Sequence, residues 1–262
     1  LIPKKTIEEV GVDVENWAAE NETELELLRH NEQFRREFLQ NLSHEFKTPV
    51  FAIQGYVDTL LDGAMEDPAT AKRFLERTAK NVHRLTHLLT GLDQIAKLER
   101  GEIVVTKEPF VMQELIQEVF ETKLTKAEKK QISCRIKKES ESPVLVFADK
   151  EKIRQVLTNL ISNAIKYGKQ GGEVVASVYK TDGKRILIEI TDDGVGIPEA
   201  ELPRVFERFY RTEAGRSMDL TGSGLGLSIC KHILEAHGQS IHVRSTENIG
   251  TTFGFTLESK PD

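Results

Sequence analysis

From Phe34 onward the apolar residues recur at steps of three and four or their sums: Phe34, Phe38, Leu42, Phe46, Ile53, Val57, Leu60 and Leu61. That spacing keeps one face of a helix apolar, and the segment 7–62 is predicted helical nearly throughout. A turn at Asp62-Gly63 leads to a second helix, with Asp67 as its N-cap and Pro68 at its first position. This helix carries Leu75, Val82, Leu85, Leu89, Leu92, Ile95 and Ala96, close to a heptad seam, and is expected to end at Gly101 behind Lys97 and Arg100. An antiparallel hairpin of two such helices cannot cover both stripes by itself. Two hairpins joined in a four-helix bundle can, which predicts a homodimer; cover from a second domain of the same chain is the alternative.

Beyond Gly101 the period shortens. Strands are predicted at Glu102–Thr106, Ile132–Ile136 and Val144–Phe147, with a helix over Val111–Lys130. Asp149 is placed to cap a helix running to about Gly168. Glu173–Tyr179 and Arg185–Thr191 flank Thr181-Asp182-Gly183, a hairpin signal. A helix over Leu225–His237 and strands at Ile241–Ser245 and Thr252–Leu257 complete the series. Strands and helices alternate without regular βαβ spacing, which predicts a two-layer α/β sandwich with a mixed sheet. The expected organisation is α plus α/β: a helical leader over 1–33, a hairpin over 34–100 and the sandwich over 101–262.

The chain of 262 residues is 39% hydrophobic and 30% charged, an ordinary globular balance. Its longest apolar run, Val144 to Ala148, is far below the ~18 residues of a membrane span, and no signal peptide is visible. Two distant cysteines, Cys134 and Cys230, argue against a disulfide scaffold or a zinc site. The net charge of −6 disfavours nucleic acid as a partner. Residues 1–33 hold nine acids against three bases, so this leader carries the whole excess.

Four clusters carry candidate chemistry. In Ser43-His44-Glu45-Phe46-Lys47-Thr48-Pro49, His44 faces away from the Leu42 stripe, Thr48 lies one turn further on, and Pro49 is expected to kink the helix. An exposed imidazole beside a carboxylate can act as a nucleophile; a solvated surface histidine is the plainer meaning. A zinc protease would need histidine where Thr48 stands. Asn159, Asn163 and Lys166 fall at i, i+4 and i+7, one polar stripe on a helix whose other face is apolar. Such a stripe is either a solvent face or a holder of hydrated Mg²⁺ and phosphate oxygens.

Asp192-Asp193-Gly194-Val195-Gly196-Ile197-Pro198 follows a predicted strand, and Gly222-Ser223-Gly224-Leu225-Gly226-Leu227 opens a helix. Glycines there are either tight turns or a close approach of backbone N–H groups to phosphate. A carboxylate after a strand can accept from the amine of adenine. Neither glycine cluster is a dinucleotide fingerprint, and no P-loop is present. His83 and His87 are spaced i, i+4 but lack a third ligand, so no metal is expected on them. His30, His232, His237 and His242 belong to no cluster.

Taken together and in this order, the clusters resemble the cytoplasmic catalytic core of two-component sensor histidine kinases over about residues 30–258. His44-Glu-Phe-Lys-Thr-Pro is similar to the family's phosphoacceptor box, Asn159 to Tyr167 to its N box, and Asp192 to Ile197 to its first glycine box. Phe206-Glu-Arg-Phe-Tyr-Arg211 is similar to the F box and Gly222 to Leu227 to the second glycine box. Phe46 stands where leucine is usual and Lys47 where arginine is common; neither is a reacting group. His44 to Ala64 also resembles the phosphate-regulon sensor subgroup.

The resemblance implies a dimerising phosphoacceptor hairpin followed by an ATP-binding sandwich of the Bergerat (GHKL) type. It makes His44 the acceptor of the γ-phosphoryl group of ATP, with Glu45 holding the imidazole and accepting its proton. Asn159 and Asn163 would carry Mg²⁺, Lys166 would meet the phosphates, and Tyr167 would lie beside the nucleotide. Asp192 would read the adenine amine, with Gly194, Gly196 and Ile197 around the base. Phe206, Gly222, Gly224, Leu225 and Gly226 would complete the cofactor site, and Arg211, ahead of Arg208, would offset γ-phosphate charge. Thr212–Thr221 would form a lid, and Thr48 would orient a water for dephosphorylating the partner. That partner is a response regulator receiver domain. A nucleotide-binding scaffold without phosphotransfer is the alternative, and a gyrase-type ATPase leaves the His44 helix unexplained. The acidic leader then sits where a connector descends from the membrane, so the chain is expected to be a cytoplasmic piece of a membrane-anchored receptor.

Overall fold

The computed structural model describes residues 7–100, 104–140, 142–181, 185–218 and 222–259. They form two compact units, one ending at Leu75 and one beginning at Glu76.

In the first unit, α1 (Ile7–Leu61) runs as a single helix past Pro49. Proline has no N–H to give the Glu45 carbonyl, yet the expected kink does not interrupt the element. Gly63, at φ 112°, turns the chain into a 3₁₀ turn over Ala64–Glu66. Asp67 then starts α2 (Pro68–Glu99), accepting from the Ala69 N–H at 3.1 Å. A hydrogen bond from Thr70, together with that amide, holds the Asp67 carboxyl below its ordinary range. Tyr56 stacks on Phe74 with ring centroids 5.6 Å apart, and Leu60 is buried.

The second unit contains the rest of α2, and here the predicted seam shifts. Leu88 and Ile95 are fully buried, whereas Leu89 is 56% exposed and Val82 48%. Two stripes share this helix about 100° apart. The Leu88–Ile95 stripe packs within the unit, and the Val82–Leu89 stripe, in step with exposed Leu75 of the first unit, stays open.

After α2 come β1 (Glu108–Val111), α3 (Met112–Lys129), β2 (Ser133–Ile136) and β3 (Leu145–Ala148). Of the strand expected at Glu102–Thr106, the described part, 104–106, has no regular structure. Residues 101–103 lie outside the described residues, and Val104 is exposed. The strand begins at Glu108, where Phe110 gains a buried place and pairs with Val146 in a two-stranded antiparallel ribbon. α4 (Lys150–Tyr167), the hairpin β4 (Glu173–Lys180) and β5 (Arg185–Asp192), α5 (Glu213–Met218), α6 (Gly226–Ala236), β6 (Ile241–Thr246) and β7 (Gly250–Glu258) follow. The turn predicted at Thr181-Asp182-Gly183 and the helix end at Gly101 fall partly or wholly outside the described residues.

The main sheet is mixed, in the order β2-β4-β5-β7-β6; β2 runs parallel to β4 and every other pair is antiparallel. Alternate residues such as Ala176, Ile188, Ile190 and Phe255 bury against the apolar faces of α3 and α4, where Leu115, Ile153, Leu157 and Ile161 have no exposed surface. Each such side chain contributes about 1.5–3 kcal/mol.

Asp149 is the knot that fixes α4. Its Oδ1 caps the helix by accepting from Lys152 N–H at 3.0 Å, and its Oδ2 accepts from Thr106 N–H at 3.2 Å. Its own N–H donates to His237 Nε2 at 3.1 Å, and the buried imidazole donates through Nδ1 to the Ile233 carbonyl at 2.7 Å. One residue thereby joins the chain entering the unit, the start of α4 and the end of α6.

Candidate active site

The cavity of the second unit has a volume of about 730 Å³. α4 supplies one wall, because its apolar residues face the sheet and leave the polar stripe Asn159, Asn163, Lys166 turned toward the cavity with Tyr167. Asn159 Nδ2 donates to the Gly226 carbonyl at 3.2 Å, which ties this wall to the start of α6. Lys166 Nζ stands 4.6 Å over the Tyr167 ring.

The loop leaving β5 forms the deep end. Asp192 lines it and is only 7% exposed. Burial pushes its carboxyl up to about 6, against hydrogen bonds from the Gly194 and Thr251 N–H groups that pull the other way, and with Asp193 nearby pushing further up. The Gly194 N–H bond to Oδ1 is 2.9 Å. A buried carboxyl acceptor at the end of a slot is suited to a ligand that brings its own N–H donor. Gly196, at φ 68°, closes the loop where any Cβ would run into the Thr246 carbonyl.

The segment before α6 makes the third wall with Tyr210, Arg211, Thr212 and Gly222 to Leu227. Gly224, at φ 71°, lies flat on the Phe209 backbone, and Phe209 N–H donates to its carbonyl at 3.0 Å. A Cβ at Gly222 would stand 2.7 Å from Lys166 Nζ, so this glycine keeps the ammonium's approach open. Arg211 donates from Nη2 to the Gly215 carbonyl at 2.6 Å at the cavity edge.

Asn159, Asn163, Lys166, Tyr167, Asp192, Gly196, Ile197, Arg211, Gly222, Gly224, Leu225 and Gly226 are thus brought together from segments far apart in the chain. Three other candidates are placed differently. Gly194 stands behind the wall, packed against the Tyr167 carbonyl. Phe206 packs edge-on against Phe253, whose ring lines the cavity, at 6.2 Å between centroids. Arg208 turns to α6, with Nη2 3.3 Å from His232 Nε2, while His232 pairs with Glu235 at 3.1 Å. Of the proposed lid Thr212–Thr221, residues 219–221 lie outside the described residues.

His44, Glu45 and Thr48 belong to the first unit. His44 is exposed, Glu45 half-buried, and the Thr48 hydroxyl donates to the His44 carbonyl at 3.1 Å. The imidazole is therefore open to a reacting partner. Sequence reasoning missed the fourth wall of the cavity, which α2 supplies with Lys80, His83, Arg84, His87, Thr90, Gly91 and Gln94. Their spacing of three and four was the available signal.

The donor set fits a magnesium nucleotide. Two amide side chains, an ammonium and a guanidinium face the cavity, and among the described residues no cluster of three His, Cys, Asp or Glu forms a protein-only metal cage. Mg²⁺ is commonly held in this way, through few protein oxygens plus water and phosphate.

Residues 34–101 match the His Kinase A (phospho-acceptor) domain, and residues 148–261 the Histidine kinase-, DNA gyrase B-, and HSP90-like ATPase family. The sensor histidine kinase WalK of Bacillus subtilis is 37% identical over 235 residues, covering 88% of this chain and 38% of its own length. The chain thus spans well under two thirds of that relative. Mycobacterial sensor histidine kinase MprB, a solved structure, is 31% identical with a TM-score of 0.51, covering 60% of this chain and all (100%) of its own. Histidine kinase ThkA, solved in complex with the response regulator protein TrrA, gives a TM-score of 0.70 at 27% identity over 89% of this chain and 64% of that one. With a phospho-acceptor helix pair followed by an ATPase sandwich, the chain belongs to the histidine kinases.

Proposed function

We propose that the chain transfers the γ-phosphoryl group of ATP to His44 and passes it to an aspartate of a response regulator. The observation that carries this reading is the convergence of Asn159, Asn163, Lys166, Asp192, Arg211 and the Gly222–Gly226 turn on one cavity, in a chain that also exposes His44 beside Glu45. Asp192 accepts the adenine amine. Lys166 and Arg211 hold phosphate oxygens, and the N-terminus of α6 adds its backbone N–H groups and dipole. Mg²⁺, held by Asn159 and Asn163 through phosphate and water, supplies charge neutralisation when bound. An imidazole nitrogen lone pair of His44 attacks the γ-phosphorus as the bond to the β-phosphate oxygen breaks. ADP leaves, and the other ring nitrogen gives its proton to Glu45. Such transfer is mostly positioning and electrostatics, which matches a site built of donors.

The open Val82–Leu89 stripe supports a homodimer formed through the helices. ThkA bound to a response regulator supports a receiver-domain partner. No helix among the described residues is long and apolar enough to cross a membrane. The span of 38% of WalK supports a place for this chain as the cytoplasmic portion of a longer, membrane-anchored sensor. Assignment to the phosphate-regulon subgroup rests on His44 to Ala64 alone, and phosphotransfer profiling against a panel of receiver domains decides it. Incubation with γ-labelled ATP and Mg²⁺ tests the main reading. An acid-labile, base-stable label that disappears in His44→Gln is expected, and equal labelling of that variant refutes it.

A further inference from the structure

Within the second unit, α2 meets α4 and α6 at two points. Gln155 Nε2 of α4 donates to Gln94 Oε1 at 2.8 Å, and α2 lies so close to the start of α6 that a Cβ on Gly91 would stand 3.0 Å from Leu225 Cδ1. Leu88 and Ile95 on α2 are buried. From Gln94 back along α2, residues 91, 87, 84, 83 and 80 return to the same helix face, and all of them line the cavity. From Gln155 forward along α4, residues 159, 163 and 166 do likewise. Both helices advance about 1.5 Å per residue, so His87 and Asn163 lie at similar distances, roughly 10–12 Å, from the Gln94–Gln155 contact. The basic stripe Lys80, His83, Arg84, His87 therefore lines the same cavity as the asparagine–lysine stripe.

Four donor side chains on one helix face have a chemical meaning in this cavity. A nucleoside triphosphate carries several negative charges on its phosphates and none on its base. We propose that this face of α2 is a second phosphate-binding wall, on which Lys80, His83, Arg84 and His87 donate to the polyphosphate of bound ATP. Nucleotide then holds this part of α2 against α4 and α6, and by reciprocity that packing tightens nucleotide binding. The proposal rests on the reading of the cavity as a nucleotide site and adds a ligand contact from outside the ATPase motifs.

The test is competition binding to the full chain with a fluorescent ATP analogue, displaced in turn by Mg-ATP, Mg-ADP and adenosine. Lys80, His83 and His87 are exposed, so Lys80→Gln/His83→Gln/His87→Gln keeps the fold; Arg84→Gln serves as a second variant. Mg-ATP affinity is expected to fall about fivefold to tenfold in the triple variant, the size of two or three solvent-exposed charged contacts. ADP should lose less and adenosine nothing. ATP should also slow amide exchange over residues 83–94 in the parent chain and not in the variant. Unchanged ATP affinity in both variants overturns the wall, and so does an equal loss for adenosine and ATP, which marks a structural effect. A parent chain that binds neither ATP nor adenosine overturns the nucleotide reading as well.

Discussion

Replacing Asp192 by asparagine isolates what burying its carboxylate costs the fold. Its folded-state value of about 6, against an ordinary 3.8, is a displacement of about two units. At 1.36 kcal/mol per unit this amounts to ~3 kcal/mol. The sign follows from proton counts. Below pH 3.8 the group is protonated in folded and unfolded chains alike. Between 3.8 and 6 the unfolded chain releases its proton while the folded chain keeps it, so stability falls as pH rises; above 6 the full deficit is present. Asparagine has no such slope. Its neutral oxygen accepts more weakly than a carboxylate from the Gly194 and Thr251 amides, which offsets about 1–2 kcal/mol of the gain where the carboxylate is ionised. The diagnostic quantity is therefore the pH dependence of the difference between the two proteins, in which all other titrating groups cancel. Thermal unfolding without nucleotide, from pH 4 to 7.5, should show the variant gaining ~5–10 °C on the parent across that range for a unit of this size. If Asp192 accepts the adenine amine as proposed, ATP should raise the parent's melting temperature at pH 7.5 by more than the variant's, because a neutral amide oxygen is a weaker acceptor than a carboxylate. A temperature difference that stays flat from pH 4 to 7.5 refutes the reasoning.

Other substitutions probe the remaining parts. Asn163→Asp should weaken Mg-ATP binding by tenfold or more without altering the dimer, read by calorimetry and light scattering, since it places a carboxylate against phosphate at a cost of about 1.4 kcal/mol or above. Thr48→Ala should spare His44 labelling and lower regulator dephosphorylation; a phosphatase rate equal to the parent's removes Thr48 from that step. Gly224→Ala puts a Cβ into the Phe209 backbone at φ 71° and should cost about 1–3 kcal/mol, visible as a lower melting temperature and weaker nucleotide binding together. Leu89→Glu places a charge on the open α2 stripe and should yield a monomer in sedimentation while leaving ATP affinity as it was.

Local rules read well where one residue acts on its near neighbours. Asp67 and Asp149 are legible as caps because a cap bond spans two or three residues, and both bonds are present. The stripe of Asn159, Asn163 and Lys166 is legible because helix periodicity alone puts the three together. Register between distant elements is not local. Val104-Val105 has as good a strand pattern as Glu108–Val111, and the choice is made by where β3 lies and which residue, Phe110, it can cover. Leu88 and Leu89 are equally apolar, so the sequence cannot say which one meets a partner domain and which one faces away. For the same reason Phe206 and Arg208 read as cavity residues although Phe206 packs behind Phe253 and Arg208 turns to His232 of α6. The α2 wall was hidden because its four basic residues gain meaning only from what lies opposite them.

Asp149 carries a mechanical implication. The chain that enters the unit from α2 is stitched at Thr106 to the same carboxylate that caps α4, and the backbone N–H of that residue is held by the far end of α6. A tug on residues 104–107 is thus borne at the root of the helix that presents Asn159, Asn163 and Lys166. The incoming segment is a tether anchored at the root of α4, so slack or tension in it bears on the helix that carries Asn159, Asn163 and Lys166.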